Sequence, residues 1–258
     1  MTSPIEFQAG NRQLAELAQA EVTAFFAANP LPTEEQLATF FAALVQTYGS
    51  AAASLAGEYY DTRRAEAKVR GGFRAVIAEP APRGQTDALA RWALSAVDEV
   101  VEQDRQSRRA AALDGSMPFE TIPDVLDLNE LRERGEEKMR ARLTQSTQRL
   151  TLQPGRDTIA DSVDVDPAKP RWARVPHGKT CAFCTMLASR GAVYRSAAKA
   201  LRAFHDGCNC TPEPVWKGQE LSYDPGEYSR LYTSASRAAE SRDPKAILAK
   251  MRKLHDMH

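Results

Sequence analysis

The sequence predicts a mainly α-helical N-terminal region, followed by a small α+β module and a C-terminal helical tail. Three observations predict it. Through the first half, apolar residues recur at spacings of three and four, with breakers between the runs. The short β-branched or aromatic stretches RWARVP, AVYR and TPEPVW gather between residues 171 and 216. All four cysteines fall in that same stretch, at 181, 184, 208 and 210. The boundaries that follow are 1–150 for the helical region, 151–168 for a linker, 169–222 for the module and 223–258 for the tail.

Leu14, Leu17, Ala18, Val22 and Phe25 form the first stripe, which NPLP ends. Thr33 then opens a helix with the capping box TEEQ, in which Thr33 accepts from the Gln36 backbone while the Gln36 side chain reaches back. Leu37, Phe40, Phe41, Leu44, Val45, Tyr48 and Leu55 lie on one face of it, and the small residues Ala51 to Ala53 admit a close neighbour. The stretch RGGFRAVIAEPAPRG interrupts the pattern with a glycine pair and two prolines, and reads as a connector or an isolated strand. Helix resumes after Thr86 with Leu89, Trp92, Ala93, Ala96, Val97 and Val100, and EQDRQSRR continues it as a solvated face. A fourth helix is expected from about Asp127, where DLNE resembles a capping box, to Leu150. Glu136 and Arg140, four apart, support it; Gly135 weakens it.

QPGRDTIADSVDVDPAKP is rich in Pro, Gly and Asp and has no apolar stripe, hence the linker. In the module, CTMLASRG reads as one or two helical turns with Gly191 as its stop, and SAAKALRAF as a short helix capped by Ser196. The tail ends in DPKAILAKMRKLHDMH, helical from Pro244, with Ile247, Leu248, Met251 and Leu254 on one side and basic residues on the other. Packing on its own chain is the expected use of that apolar side.

Length and composition bound the classes of function. With 258 residues, 43% hydrophobic and 26% charged, the chain can bury a core without disulfides and is expected to be soluble. No apolar run approaches the roughly 20 residues of a membrane span, and MTSPIEFQAGNRQ lacks the marks of a signal peptide, so a reducing cytoplasm is the expected setting. The net charge is zero but unevenly placed. Residues 1–168 carry 18 basic and 26 acidic side chains, whereas 169–205 carry eight basic and no acidic ones.

The cysteines lie in the pattern Cys181-x2-Cys184, then twenty residues, then His205-x2-Cys208-x-Cys210. A C-x2-C loop points two thiolates at one centre, and a second pair from a distant segment completes the tetrahedron that Zn2+ prefers. That offers five candidate ligands for four places, and either Cys208 or Cys210 can be the fourth. With no open position for water evident, the expected role is structural: a zinc ion stabilising the α+β module. Disulfides, a thioredoxin-like redox pair and unbonded buried thiols are the competing readings.

Together with GRDTI and PEPVW, the strings RWARVPHGKTCAFCTMLASRGAVYRS and FHDGCNC resemble the MuF-like minor capsid, or head morphogenesis, proteins of tailed bacteriophages, in the form found in phages of actinobacteria. The resemblance covers about residues 150–220. It implies a protein of the virion, inside the capsid and made in the host cytoplasm, whose helical region meets the portal and the major capsid or scaffold proteins. Packaged double-stranded DNA is a further implied contact. Carried over by position, the metal ligands are Cys181, Cys184, His205 and Cys208 or Cys210. Relatives nearer the Mu protein often lack the first cysteine pair, so metal binding is not a property of the whole family.

An enzyme is the alternative from another class, since a capsid maturation protease is a label such proteins sometimes carry. Of the four histidines only His177 is free to act as a general base in the C-terminal half, and no hydrolase, zincin or phosphate-loop motif is present. No catalytic residue is expected. Nucleic-acid binding is the other alternative, by a zinc module inside or outside a virion. Arg171, Arg174, Lys179, Arg190, Arg195, Lys199 and Arg202 would contact phosphates, with Trp172, Phe183, Tyr194 and Phe204 interspersed for stacking.

Overall fold

Four long helices carry about half of the chain in the computed structural model, which describes residues 2–113, 128–178, 180–195, 204–205 and 207–257. They are α1 (Pro4–Ala28), α2 (Glu34–Glu66), α3 (Arg83–Leu113) and α4 (Leu128–Val165). Both α1 and α2 open on reciprocal caps. Thr33 accepts from the Gln36 amide at 3.2 Å while its own amide donates to Gln36 Oε1 at 2.8 Å, and Ser3 and Glu6 repeat the device. Helices α2 and α4 form the central pair, and α1 and α3 each pack against both. Phe26, Leu37, Phe41, Leu44, Ala93 and Leu143 sit in the core among these four helices.

The stripe on α1 is rotated from the expected one. Its buried line is Phe7, Asn11, Ala15, Ala18, Val22 and Phe26, and Leu17 is 46% exposed. Alanines close to a neighbouring helix are buried as readily as leucines, so size alone misplaced the seam. Trp92 of α3 likewise lies on the surface, under the guanidinium of Arg142 at 4.6 Å.

The larger correction concerns residues 151–165, expected as linker, which form roughly the last four turns of α4. Pro154 and Gly155 read as breakers, yet both serve a close crossing with α2. A Cβ at Gly155 would stand 2.7 Å from the Ala52 carbonyl oxygen, so only glycine lets the backbones meet there. Gly135 does the same against Val97 of α3, where a Cβ would meet the Val97 Cα at 2.7 Å. The small-residue reading of α2 thus holds at Ala52 and Ala53, which are fully buried. The apolar stripe of this part of α4 is hard to read because its covered faces mix Leu152, Ile159 and Val163 with Thr151, Arg156, Thr158 and Ser162.

Two of those hydroxyls fasten the connector after α2. The Val76 amide donates to Ser162 Oγ at 2.9 Å and the Ala78 amide to Thr158 Oγ1 at 3.0 Å. Residues two apart in an extended chain and four apart in a helix span nearly the same distance, about 6–7 Å, so an extended strap runs in register along α4. It is a connector and forms no strand.

The module begins directly after α4. Strands β1 (Arg171–Val175) and β2 (Thr211–Val215) pair antiparallel, with Arg174 opposite Pro212. AVYR contributes a single bridge, Trp172 to Tyr194. Helix α5 (Ala182–Ala188) lies between the strands in sequence. The short helix expected at Ser196, and the cap expected at Asp127, lie outside the described residues. Two helices make the tail, α6 (Pro225–Ala239) and α7 (Pro244–His255), where the sequence suggested one. Ala235 is the only residue on α6 that is fully enclosed, which leaves it no stripe to read. Self-packing of the tail holds: Ile247 and Met251 of α7 meet Ala235 of α6 and Ala182 of α5. Leu254 stays half exposed.

Aromatic side chains bind the module to the helices. Tyr60 of α2 meets Trp216 edge-on at 5.1 Å, next to the stack of Phe7 of α1 on Tyr59 at 4.3 Å in the same buried cluster. Beside them Arg64 pairs with Asp166 at 3.0 Å, Tyr60 donates to the same carboxylate, and Arg63 pairs with buried Glu213 at 3.1 Å.

Candidate metal centre

Two chain segments supply the thiols. Cys181 is the N-cap of α5 and its sulfur accepts from the Cys184 amide at 3.3 Å, the local geometry a C-x2-C turn provides. The second segment, His205 to Cys210, precedes β2 and is held from α4. Gln148 of α4 donates to Asn209, and Arg156, eight residues and about two turns later on the same face, donates to the Cys208 carbonyl. The loops meet at Cys184, whose sulfur lies 3.6 Å from that of Cys208.

All five expected ligands come together. Cys181, Cys184 and His205 form one group and Cys184, Cys208 and Cys210 another, with donor atoms in each group within 4.8 Å of one another. Cys184 belongs to both. All four thiols are free, and each is 7% exposed or less. The cluster can therefore hold a metal ion. A sulfur–sulfur distance of 3.6 Å is far beyond a disulfide bond and close to the roughly 3.8 Å between two sulfurs on one tetrahedral zinc. Hydrogen bonding with Cys184 lowers the pKa of Cys181 to about 5, with His205 adding to it, and lowers that of Cys208 as well. Cys184, hydrogen-bonded to Cys181 and Cys208, is pushed up.

Two arginines close the site, and the sequence assigned neither to it. Arg156 and Arg174 are 3% and 0% exposed. Both stack on Phe204, with the guanidinium carbons 4.0 and 3.7 Å from its ring centroid. Arg174 Nη1 donates to Cys184 Sγ at 3.3 Å. Burial lowers the Arg156 pKa to about 10, and the neighbouring Cys208 opposes that shift. The string GRDTI, which contains Arg156, was the available signal for this residue.

The burial of Arg174 corrects its expected role as a phosphate contact, because a guanidinium enclosed against sulfur and an aromatic ring cannot reach a nucleic-acid backbone. Arg171, Arg190 and Arg195 are exposed. Lys179, Lys199 and Arg202 lie outside the described residues. Trp172, Tyr194 and Phe204 are buried in the core, which removes them as stacking platforms for bases. His177 is half-buried, with Nε2 against Thr211 Oγ1 at 2.7 Å, and burial lowers its pKa to about 4. Among the described residues no helix is long and apolar enough to cross a membrane.

A family model described as VG15 protein matches residues 3–235, which takes in the four-helix region and the cysteine module together. The Gene 15 protein of Mycobacterium phage D29 is 30% identical over 162 residues, which cover 44% of this chain and 58% of that relative. The chain thus spans less than two thirds of the relative's length. No solved structure matches the chain. The two matches point to an actinobacteriophage protein.

Proposed function

Because the chain belongs to the VG15 protein family, we propose that it is a structural minor capsid protein of a tailed phage, with a structural zinc ion holding its C-terminal module. In this reading it acts in head morphogenesis, at the portal and the capsid interior. The observation that carries the structural role is the closure of the cysteine cluster. Every thiol is buried, and Arg156, Arg174 and Phe204 pack against the cluster, which suits a closed, structural metal site among the described residues. The phage-head assignment rests on the likeness of residues 150–220 to MuF-like proteins and on the phage relative.

The residues present suit zinc. Soft thiolates with an imidazole nearby are its preferred donors, and the bound ion would supply folding energy to the module. Contact with DNA, if the protein makes it, would fall to the exposed Arg171, Arg190 and Arg195. It would weaken steeply with added salt.

Mass spectrometry of purified particles tests the head assignment. The chain is expected among the proteins retained after the capsid is washed free of lysate, at few copies relative to the major capsid protein. Its absence from particles would contradict the proposal. Incubation with capsid precursor tests the protease reading: specific cleavage lost in His177→Ala would favour an enzyme, and no cleavage is expected.

A further inference from the structure

Resting on the zinc centre proposed above, we infer that Arg156 and Arg174 are the counter-charges of a four-thiolate site made by Cys181, Cys184, Cys208 and Cys210. His205 then stands outside the coordination sphere, as a hydrogen-bond donor to Cys181.

The two arginines come from different elements, α4 and β1, and both bring a positive charge onto the Phe204 ring. Neither has a carboxylate partner among the described residues. Arg156 Nε and Nη1 and Arg174 Nε and Nη2 are buried with no hydrogen-bond acceptor. Burying one guanidinium unpaired costs several kcal/mol, and burying two around one ring adds their mutual repulsion. Cation–π contact with the ring offsets only part of that cost. Something negative has to lie beside them, and both reach the cysteine cluster: Arg174 donates to the Cys184 sulfur and Arg156 to the Cys208 carbonyl.

Neutral thiols supply no such charge, whereas thiolates on a dication do. Four thiolates on Zn2+ carry two net negative charges, which match the two arginines. Three thiolates and a neutral imidazole carry one, leaving one arginine uncompensated. The count therefore selects all four cysteines and settles the choice between Cys208 and Cys210 by including both.

As the loops lie, Cys181 groups with Cys184 and His205 while Cys208 and Cys210 group with Cys184, so a four-thiolate set draws Cys181 in towards the second group. Arg174 already donates to Cys184, the sulfur shared by both ligand groups. His205 Nε2 lies 3.0 Å from Cys181 Sγ, whereas nitrogen and sulfur bound to one tetrahedral zinc are about 3.6 Å apart. The histidine is also at the edge. It is half-buried and lines a cavity of about 740 Å³ between α4 and the connector, whereas all four thiols are enclosed.

Cobalt substitution of the whole chain reads the ligand set directly. The thiolate-to-cobalt charge-transfer band is expected at the intensity of four sulfurs, and His205→Ala should leave the band and the stoichiometry unchanged. A three-sulfur intensity, or a band altered by His205→Ala, would overturn the assignment. Chelator competition reads the arginines. Arg156→Met and Arg174→Met are each expected to weaken zinc binding about 10- to 100-fold, the range typical of groups that support metal ligands. The lysine variants, which keep the charge, should stay within a few-fold of the native chain. Unchanged affinity in both methionine variants would overturn the counter-charge role. If either methionine variant fails to fold, the comparison of lysine variants with native protein and the cobalt spectrum still decide. A native chain that takes up no metal overturns the zinc centre itself, an outcome distinct from a wrong ligand set.

Discussion

The four-helix region and the cysteine module hold themselves together by different means. The helical core joins Phe26, Leu37, Phe41, Leu44, Ala93 and Leu143 from four helices, and its stability follows from apolar area removed from water. The cluster under the module is four cysteines and Phe204, flanked by two buried arginines and served by a two-stranded sheet. A two-stranded sheet is marginal alone, and thiols and guanidinium groups gain little from simple burial. In the proposed reading, one region is stabilised by packing and the other by the metal ion its side chains would hold, with α4 common to both.

Four substitutions would break or sharpen that contrast. The largest effect is expected from Cys184→Ser, which removes the sulfur shared by both ligand groups. It should abolish metal retention, on the order of 10 kcal/mol of binding, and open the module to limited proteolysis while helical circular dichroism is largely kept. Phe41→Ala is the matching change in the helices. It should cost about 3–5 kcal/mol in chemical denaturation and leave metal stoichiometry intact.

Next comes Gly155→Ala, at the crossing of α4 and α2, where the added methyl meets backbone. An expected loss of about 1–3 kcal/mol should be accompanied by weaker zinc binding, because the neighbouring Arg156 shifts with the helix. A thermal shift with no change in metal affinity would mean that α4 does not couple the regions. Thr33→Ala, at the cap of α2 and far from the thiols, should cost only about 1 kcal/mol, seen as a lower melting temperature with unchanged zinc affinity.

How much of this was legible in the sequence depended on whether a residue's type reports its surroundings. The capping box at Thr33 and the apolar spacing of α2 and α3 did so, because caps and stripes are local. The cysteine spacing did so too, bringing all five expected ligands into two overlapping groups. The second half of α4 was not legible, since its buried faces mix Thr, Ser and Arg with a few apolar residues, and its Pro-Gly pair serves a crossing that only the fold creates. Arg174 was misread for a related reason. Eight cations without an acid suggest a phosphate-binding face, but charge in a sequence does not show which cation is enclosed. Arg156 stood in view in GRDTI, inside a stretch that looked like linker.

The most direct test is the zinc content of the freshly purified native chain, measured by elemental analysis against protein concentration. One zinc ion per chain is expected, and its removal by a strong chelator should lower the melting temperature of the module. A chain that is folded, with all four thiols reduced and no bound metal, would contradict the proposal that a metal ion holds this module together.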